Sequence, residues 1–218
     1  MPWQLARSWL WSAARAACAR TPMASGPVMM TAPSLPTNDA PDLLTDFLRS
    51  QSPGREPVPP LWLDGSGLPD VPRRLLVHDH GMTATLEAFW GEQMRLSVLH
   101  TEEKGNLLRR HVLLSGAASG TPAELGLIEI HLDALPPGAL FAVRQRRIPF
   151  GAILSACGVS FKSRPAGFLR LVANDDLARL LRVTPGSAIH GRATTLYAQT
   201  DARVLANAVE LLSGHQPA

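Results

Sequence analysis

The sequence predicts a single α+β domain, an antiparallel β-sheet with helices packed on one side of it. Segments 92–100, 107–115, 124–133, 188–198 and 203–212 alternate apolar and polar residues with the period of two that a strand imposes. Short stretches with helical spacing lie between them, and turn residues over 102–106 and 199–202 fold neighbouring strands back as hairpins. With 218 residues, 45% hydrophobic and 18% charged, the chain suits one globular domain, or one domain plus a tail.

Residues 1–38 contain Arg7, Arg15 and Arg20 and no acid, in a Trp- and Ala-rich setting shared by transit peptides and amphipathic surface helices. Arg15-Ala16-Ala17 puts an arginine where a lipoprotein signal ahead of Cys18 needs an aliphatic residue. The expectation is a disordered or cleaved leader over 1–38, with Met23, Met29 and Met30 as alternative starts and membrane contact as the lesser option. No run of eighteen apolar residues occurs, so no membrane span is expected. Past the leader, 18 basic residues balance 18 acidic ones, which argues against a nucleic-acid partner. Cys18 and Cys157 stand alone without CxxC or Cys/His spacing, so the expectation is a reducing cytoplasm and no structural zinc.

Residues 39–72 read as a helix plus a Pro-rich loop. Asn38 or Asp39 offers an N-cap, and the spacing of Leu43, Leu44, Phe47 and Leu48 predicts a helix over 42–49. Pro53, Pro57, Pro59 and Pro60 exclude a regular element throughout 52–72, leaving Leu61-Trp62-Leu63 as an anchored loop. The main domain spans 73–214. Gly81 breaks a run that begins at Arg73, and Thr83 caps a helix through Phe89 that Gly91 ends. His78 and His80 flank Asp79 at a spacing known from metal sites, but no further ligand cluster accompanies them and no metal is expected.

Strands 92–100, 107–115 and 124–133 form a meander with one buried side. On the third, Gly126, Ile128, Ile130 and Leu132 point inward, while Glu124, Glu129, His131 and Asp133 fall outside or on the other face. Pro136-Pro137-Gly138 ends this strand, and 144–147 is a solvated basic loop. Pro149 and Gly158 bracket a helix, and 159–162 and 168–172 are strands around a break. Asn174 caps a helix over 175–182 with Asp175 and Asp176 in its first turn, and Pro185-Gly186 turns the chain into the last two strands.

Two charges sit on apolar stripes. Leu108, Arg110, Val112 and Leu114 share a strand face, and an arginine covered there must find an anion because its guanidinium does not lose its proton. Its options are a buried acid, a snorkelling position at the sheet edge, or a carboxylated small molecule held bidentately. On the last strand Val204, Ala206, Ala208, Glu210 and Leu212 share a face, making Glu210 the acidic counterpart of Arg110. Glu210 either pairs with Arg110, or sits at a solvated strand end, or meets a ligand for which Ala206 and Ala208 leave room. Desolvation would raise its pKa and a nearby arginine would lower it.

Four pieces of 75–213, taken in order, resemble the chorismate lyase family, which removes pyruvate from chorismate to give 4-hydroxybenzoate. They are Leu75-Leu76 through Gly81-Met82-Thr83 with Leu86-Glu87 behind; Arg110 within Arg-His-Val-Leu-Leu; Ile148-Pro149-Phe150-Gly151; and Gly191-Arg192 followed by Glu210-Leu211-Leu212. The resemblance implies a chorismate lyase-like fold with Arg110 and Glu210 as the catalytic pair, Arg110 on the ligand carboxylate and Glu210 on its hydroxyl end. It also implies a substrate site lined by Met82, Thr83, Phe150, Gly151 and Arg192, with Met82 and Phe150 as apolar walls. Counting from Gly191 without a gap brings Asn207 to the family's Glu position, so Glu210 and Asn207 are alternatives on opposite faces. The family's second arginine, in an Ala-Gly-Arg context, has no match at Gly126-Leu127-Ile128, and Arg192 or Arg170 would have to supply that cation. Aromatisation favours departure of the enolpyruvyl group, so the reaction asks only for orientation, charge neutralisation and a proton donor, and no cofactor or metal is expected.

The leading expectation is thus a cytoplasmic chorismate lyase-like enzyme taking a small carboxylated aromatic or cyclohexadiene ligand. The alternative is a non-catalytic aromatic-acid or small-molecule binding protein of the same fold, which also serves as the effector domain of bacterial transcription regulators. Residues 1–70 lack the ordered length and charge of a helix-turn-helix domain, which favours a free-standing binding protein. A third reading is a structural partner attached through its Trp-rich leader.

Overall fold

The computed structural model describes residues 40–51 and 57–217. The leader, the candidate caps Asn38 and Asp39, Cys18 and Pro53 lie outside them. Chain order runs α1 (Ala40–Gln51), β1 (Leu61–Leu63), α2 (Asp70–Leu76), α3 (Met82–Trp90), β2 (Met94–Lys104), β3 (Leu107–Gly116) and β4 (Pro122–His131). It continues with α4 (Pro137–Arg144), α5 (Phe150–Ala156), β5 (Phe161–Val172), α6 (Asp175–Leu181), β6 (Ala188–Ala198) and β7 (Val204–Leu212). The strands form one sheet in the order β1-β5-β6-β7-β4-β3-β2, with every neighbouring pair antiparallel. The expected α+β domain with helices packed on an antiparallel sheet is what the chain forms.

Local signals place most elements. The Asn174 side chain accepts a hydrogen bond from the Leu177 N–H at 2.9 Å and starts α6. Gly91, at φ 66°, closes α3 in the left-handed region. Thr83 does not cap that helix; it lies in the first turn, with Gly81 at the cap position and no side-chain capping bond.

Elsewhere the elements differ from expectation for identifiable reasons. Leu61–Leu63 is a strand, since its backbone extends the sheet by pairing with Phe168 to Arg170 of β5. Helix α2 begins inside the Pro-rich stretch because Pro69 precedes it and Pro72 lies in its first turn, where a missing N–H removes no helical bond. Pro137 likewise opens α4, a helix over a segment expected to be a strand end and basic loop. Strand β5 runs unbroken from Phe161 to Val172, absorbing Pro165 through a bulge before Gly167. Cys157 is disulfide-bonded.

Helices cover both faces of the sheet, not one. Leu43, Leu44, Phe47 and Leu48 of α1 and Leu177, Ala178 and Leu181 of α6 bury themselves against Leu125, Leu127, Leu169, Val209 and Leu211. On the opposite face α4 and α5 pack on Leu108, Ile130, Ala206 and Ala208, while α2 and α3 pack on Met94, Leu114 and Leu212. Arg109 fastens α1 further, reaching Glu129 of β4 at 2.5 Å and Asp46 at 3.2 Å. Among the described residues no helix is long and apolar enough to cross a membrane.

Phe47 is 2% exposed and meets His111 edge-on with ring centroids 5.1 Å apart. Phe47→Ala removes this anchor of α1 and is expected to lower the unfolding free energy by about 3–5 kcal/mol, measured by urea denaturation.

Candidate functional site

Between the sheet and helices α3 and α5 lies a cavity of about 320 Å³. Its sheet side is built from alternate residues of three adjacent strands, Arg110, Val112 and Leu114 of β3, Glu124, Gly126 and Ile128 of β4, and Ala208 and Glu210 of β7. The walls are Met82, Thr83 and Glu87 of α3 and Ile148, Pro149, Phe150 and Gly151 at the start of α5, closed further by Phe161, Ser163 and Leu196. A Cβ at Gly126 would stand 3.0 Å from Val112 Cγ2 and 3.2 Å from Glu124 Oε1, so glycine keeps the centre of this floor open. Glu87 also has a structural task, its Oε1 accepting the Met94 N–H at 3.1 Å.

Arg110 is 1% exposed, and its Nε and one terminal nitrogen have no hydrogen-bond partner among the described residues. Burial, with like charge from Arg146, brings its pKa down to about 10, so it remains a cation at neutral pH. An unsatisfied buried guanidinium is costly unless something anionic enters the space it faces.

The ion pair considered for Arg110 is absent. Glu210 instead accepts from Arg192 Nε at 2.5 Å, because β6 and β7 place these two residues directly opposite each other. Arg192 is fully buried and does not line the cavity; its terminal nitrogens donate to the carbonyls of Leu76 at 2.8 Å, His78 at 2.9 Å and His80 at 3.4 Å. These bonds fasten the link between α2 and α3, whose His80 and Gly81 form part of the cavity rim. Arg192 therefore positions the site and offers no second free cation, and Arg170 is exposed on β5 away from it. Asn207 is removed from the site by strand parity; it faces the α1 side, where Thr195 Oγ1 donates to its Oδ1 at 2.9 Å.

Of the remaining expected site residues, Met82, Thr83, Arg110, Phe150, Gly151 and Glu210 all line the one cavity. Ser163 and Glu124 are among the lining groups that went unforeseen. Ser163 reaches the cavity beside Thr194, their hydroxyls 2.7 Å apart. Glu124, expected outside or on the far face, is 3% exposed, lines the cavity, and has an Oε2 without a partner among the described residues. Alternation counted back two residues from Gly126 carries the signal for it. Burial first and the Glu210 carboxylate second push the Glu124 carboxyl well above the usual range, against an opposing pull from Arg192.

No protein-family model matches the chain. No curated protein matches it either. Among solved structures, PhnF from Mycobacterium smegmatis is similar over 66% of this chain and 68% of its own, with 13% identity and a TM-score of 0.51. The effector domain of the same protein is similar over 65% of this chain and 93% of its own, with 13% identity and a TM-score of 0.50. At this identity the likeness concerns the fold alone.

The raised Glu124 pKa fixes a pH dependence. A carboxyl that holds its proton more tightly when folded lends its full stability below the ordinary value of 4.5 and loses it as pH rises towards the folded-state pKa. Glu124→Gln cannot ionise, so its stability relative to wild type is expected to climb above pH 4.5, by up to about 1.4 kcal/mol per pH unit, and then level off. Denaturant titrations of both proteins between pH 4 and 9 measure this difference; a flat difference would mean that Glu124 ionises as it does in water.

Proposed function

We propose that the chain is a binding protein for a small carboxylated molecule with an apolar, ring-sized body, and that it holds this ligand without turning it over. The observation that carries the proposal is Arg110, a buried cation with unsatisfied donors at the floor of an otherwise largely apolar cavity. Such a group takes a carboxylate through paired charge-assisted bonds, while Met82 and Phe150 enclose the apolar body. The likeness to an effector domain supports binding over turnover. So does the supply of cations. Chorismate carries two carboxylates, yet Gly126-Leu127-Ile128 brings no second arginine and Arg192 is occupied by Glu210 and three carbonyls.

Titration calorimetry of the full chain with benzoate and 4-hydroxybenzoate tests the assignment. Arg110→Ala is expected to weaken binding by about 10- to 150-fold, as loss of a charge-assisted interaction of about 1.5–3 kcal/mol implies. Unchanged affinity in Arg110→Ala would refute the placement of the carboxylate. In parallel, chorismate incubated with the protein is expected to release no pyruvate; release that disappears in Arg110→Ala would establish the lyase activity instead.

A further inference from the structure

Resting on that reading, we propose that the cavity selects monocarboxylic acids. Arg110 takes the single carboxylate, and the carboxyl group of Glu124 hydrogen-bonds a non-anionic polar group at the other end of the ligand while excluding a second carboxylate from it.

The sheet register separates the two poles. Arg110 stands opposite Ile128, and Glu124 lies four residues further along β4, on the order of 13 Å between backbones. Val112 and Gly126 pair between them, and Gly126 contributes no side chain. Two long side chains converging from such a spacing leave room for one ring with substituents at opposite ends. Both poles are buried in the free protein with polar atoms unsatisfied, the Nε and one terminal nitrogen of Arg110 and Oε2 of Glu124. A ligand that reaches from one to the other satisfies both.

Their electrostatics are opposite. Arg110 lines one end, and Arg146, exposed outside the cavity, adds like charge to it. At the far end Glu124 and Glu210 line the cavity, whereas Arg192 lies behind them and directs its donors to Glu210 and to the carbonyls of Leu76, His78 and His80. A second carboxylate there would be desolvated beside Glu210 with no lining cation to meet it. A hydroxyl, amide or other group without negative charge meets a carboxyl that can donate, since burial and Glu210 both favour its protonated form. Ser163 and Thr83 add polarity to the walls without adding charge.

Terephthalate and 4-carbamoylbenzoate have nearly the same shape and differ in the charge of one end group, so they isolate the effect. Calorimetry at pH 7.5 on the full chain is expected to show 4-carbamoylbenzoate binding at least ten times more tightly than terephthalate, and several-fold more tightly than benzoate. Glu124→Ala is expected to bring the ratio of 4-carbamoylbenzoate to benzoate affinity close to one, while Glu124→Gln, which keeps a donor, retains the preference; thermal denaturation verifies that both variants are folded. Equal affinities for terephthalate and its monoamide, or a ratio untouched by Glu124→Ala, would overturn the selectivity while leaving an Arg110-dependent carboxylate site intact. Failure of benzoate to bind, or binding indifferent to Arg110→Ala, would remove the carboxylate site and the selectivity with it.

Discussion

The guanidinium of Arg192 is the constraint on which the geometry of the cavity depends. It arises from β6, grips Glu210 on β7, and collects the carbonyls of Leu76, His78 and His80 from the connection between α2 and α3. Three separate parts of the chain thereby meet at one planar group whose donors diverge in fixed directions. Because Glu210 is neutralised there, it does not reach across the cavity to Arg110, and Arg110 keeps its donors open. The ion pair behind the cavity and the unpaired cation on its floor are two sides of one arrangement. Had β7 been displaced by one residue, Glu210 would face α1 and Arg192 would be left without its acid.

How much of this could be read from the chain follows from the range of the physics involved. Alternation is a local property, so strands β2, β3, β4, β6 and β7, the face shared by Leu108, Arg110, Val112 and Leu114, and the face shared by Ala206, Ala208 and Glu210 were legible. The partner of Glu210 was not, because opposite positions on β6 and β7 depend on a hairpin register that includes an irregularity at Tyr197. The three backbone acceptors of Arg192 leave no mark on side-chain identity at all. Glu124 is different: its parity with Gly126 was available, and the habit of assigning an acid to solvent obscured it. Helix α4 was hidden by proline, which reads as a terminator unless its place in the first helical turn is recognised.

The double-sided sheet clarifies a division of labour. The face under α1 and α6 is filled mostly by leucine, isoleucine and alanine packing, and several of its polar members pair internally, as in the Thr195–Asn207 pair and the Arg109–Glu129–Asp46 chain. The face under α3 and α5 keeps a void with unsatisfied groups at both ends. One side thus stabilises the layer, and the other leaves buried polar groups around a cavity, where they add less to stability. Similarity to the PhnF effector domain extends to the fold, whereas the proposed choice of ligand rests on this chain's own Arg110 and Glu124.

Strand β1 has a bearing on how the molecule behaves in a crowded solution. It is only three residues long, and it covers β5 only from Phe168 to Arg170. Further along that strand, Pro165 lacks an N–H and the adjoining bulge interrupts the ladder, while the Asp79 carbonyl accepts the Ser163 N–H at 3.0 Å. At the opposite border, β2 presents Arg95, Glu102, Glu103 and Lys104, mostly exposed. Neither border offers a long, flat, uncharged row of amides to a stranger's backbone. The irregularities that make β1 and β5 hard to recognise in the sequence are therefore those that discourage one copy of the sheet from continuing into the next.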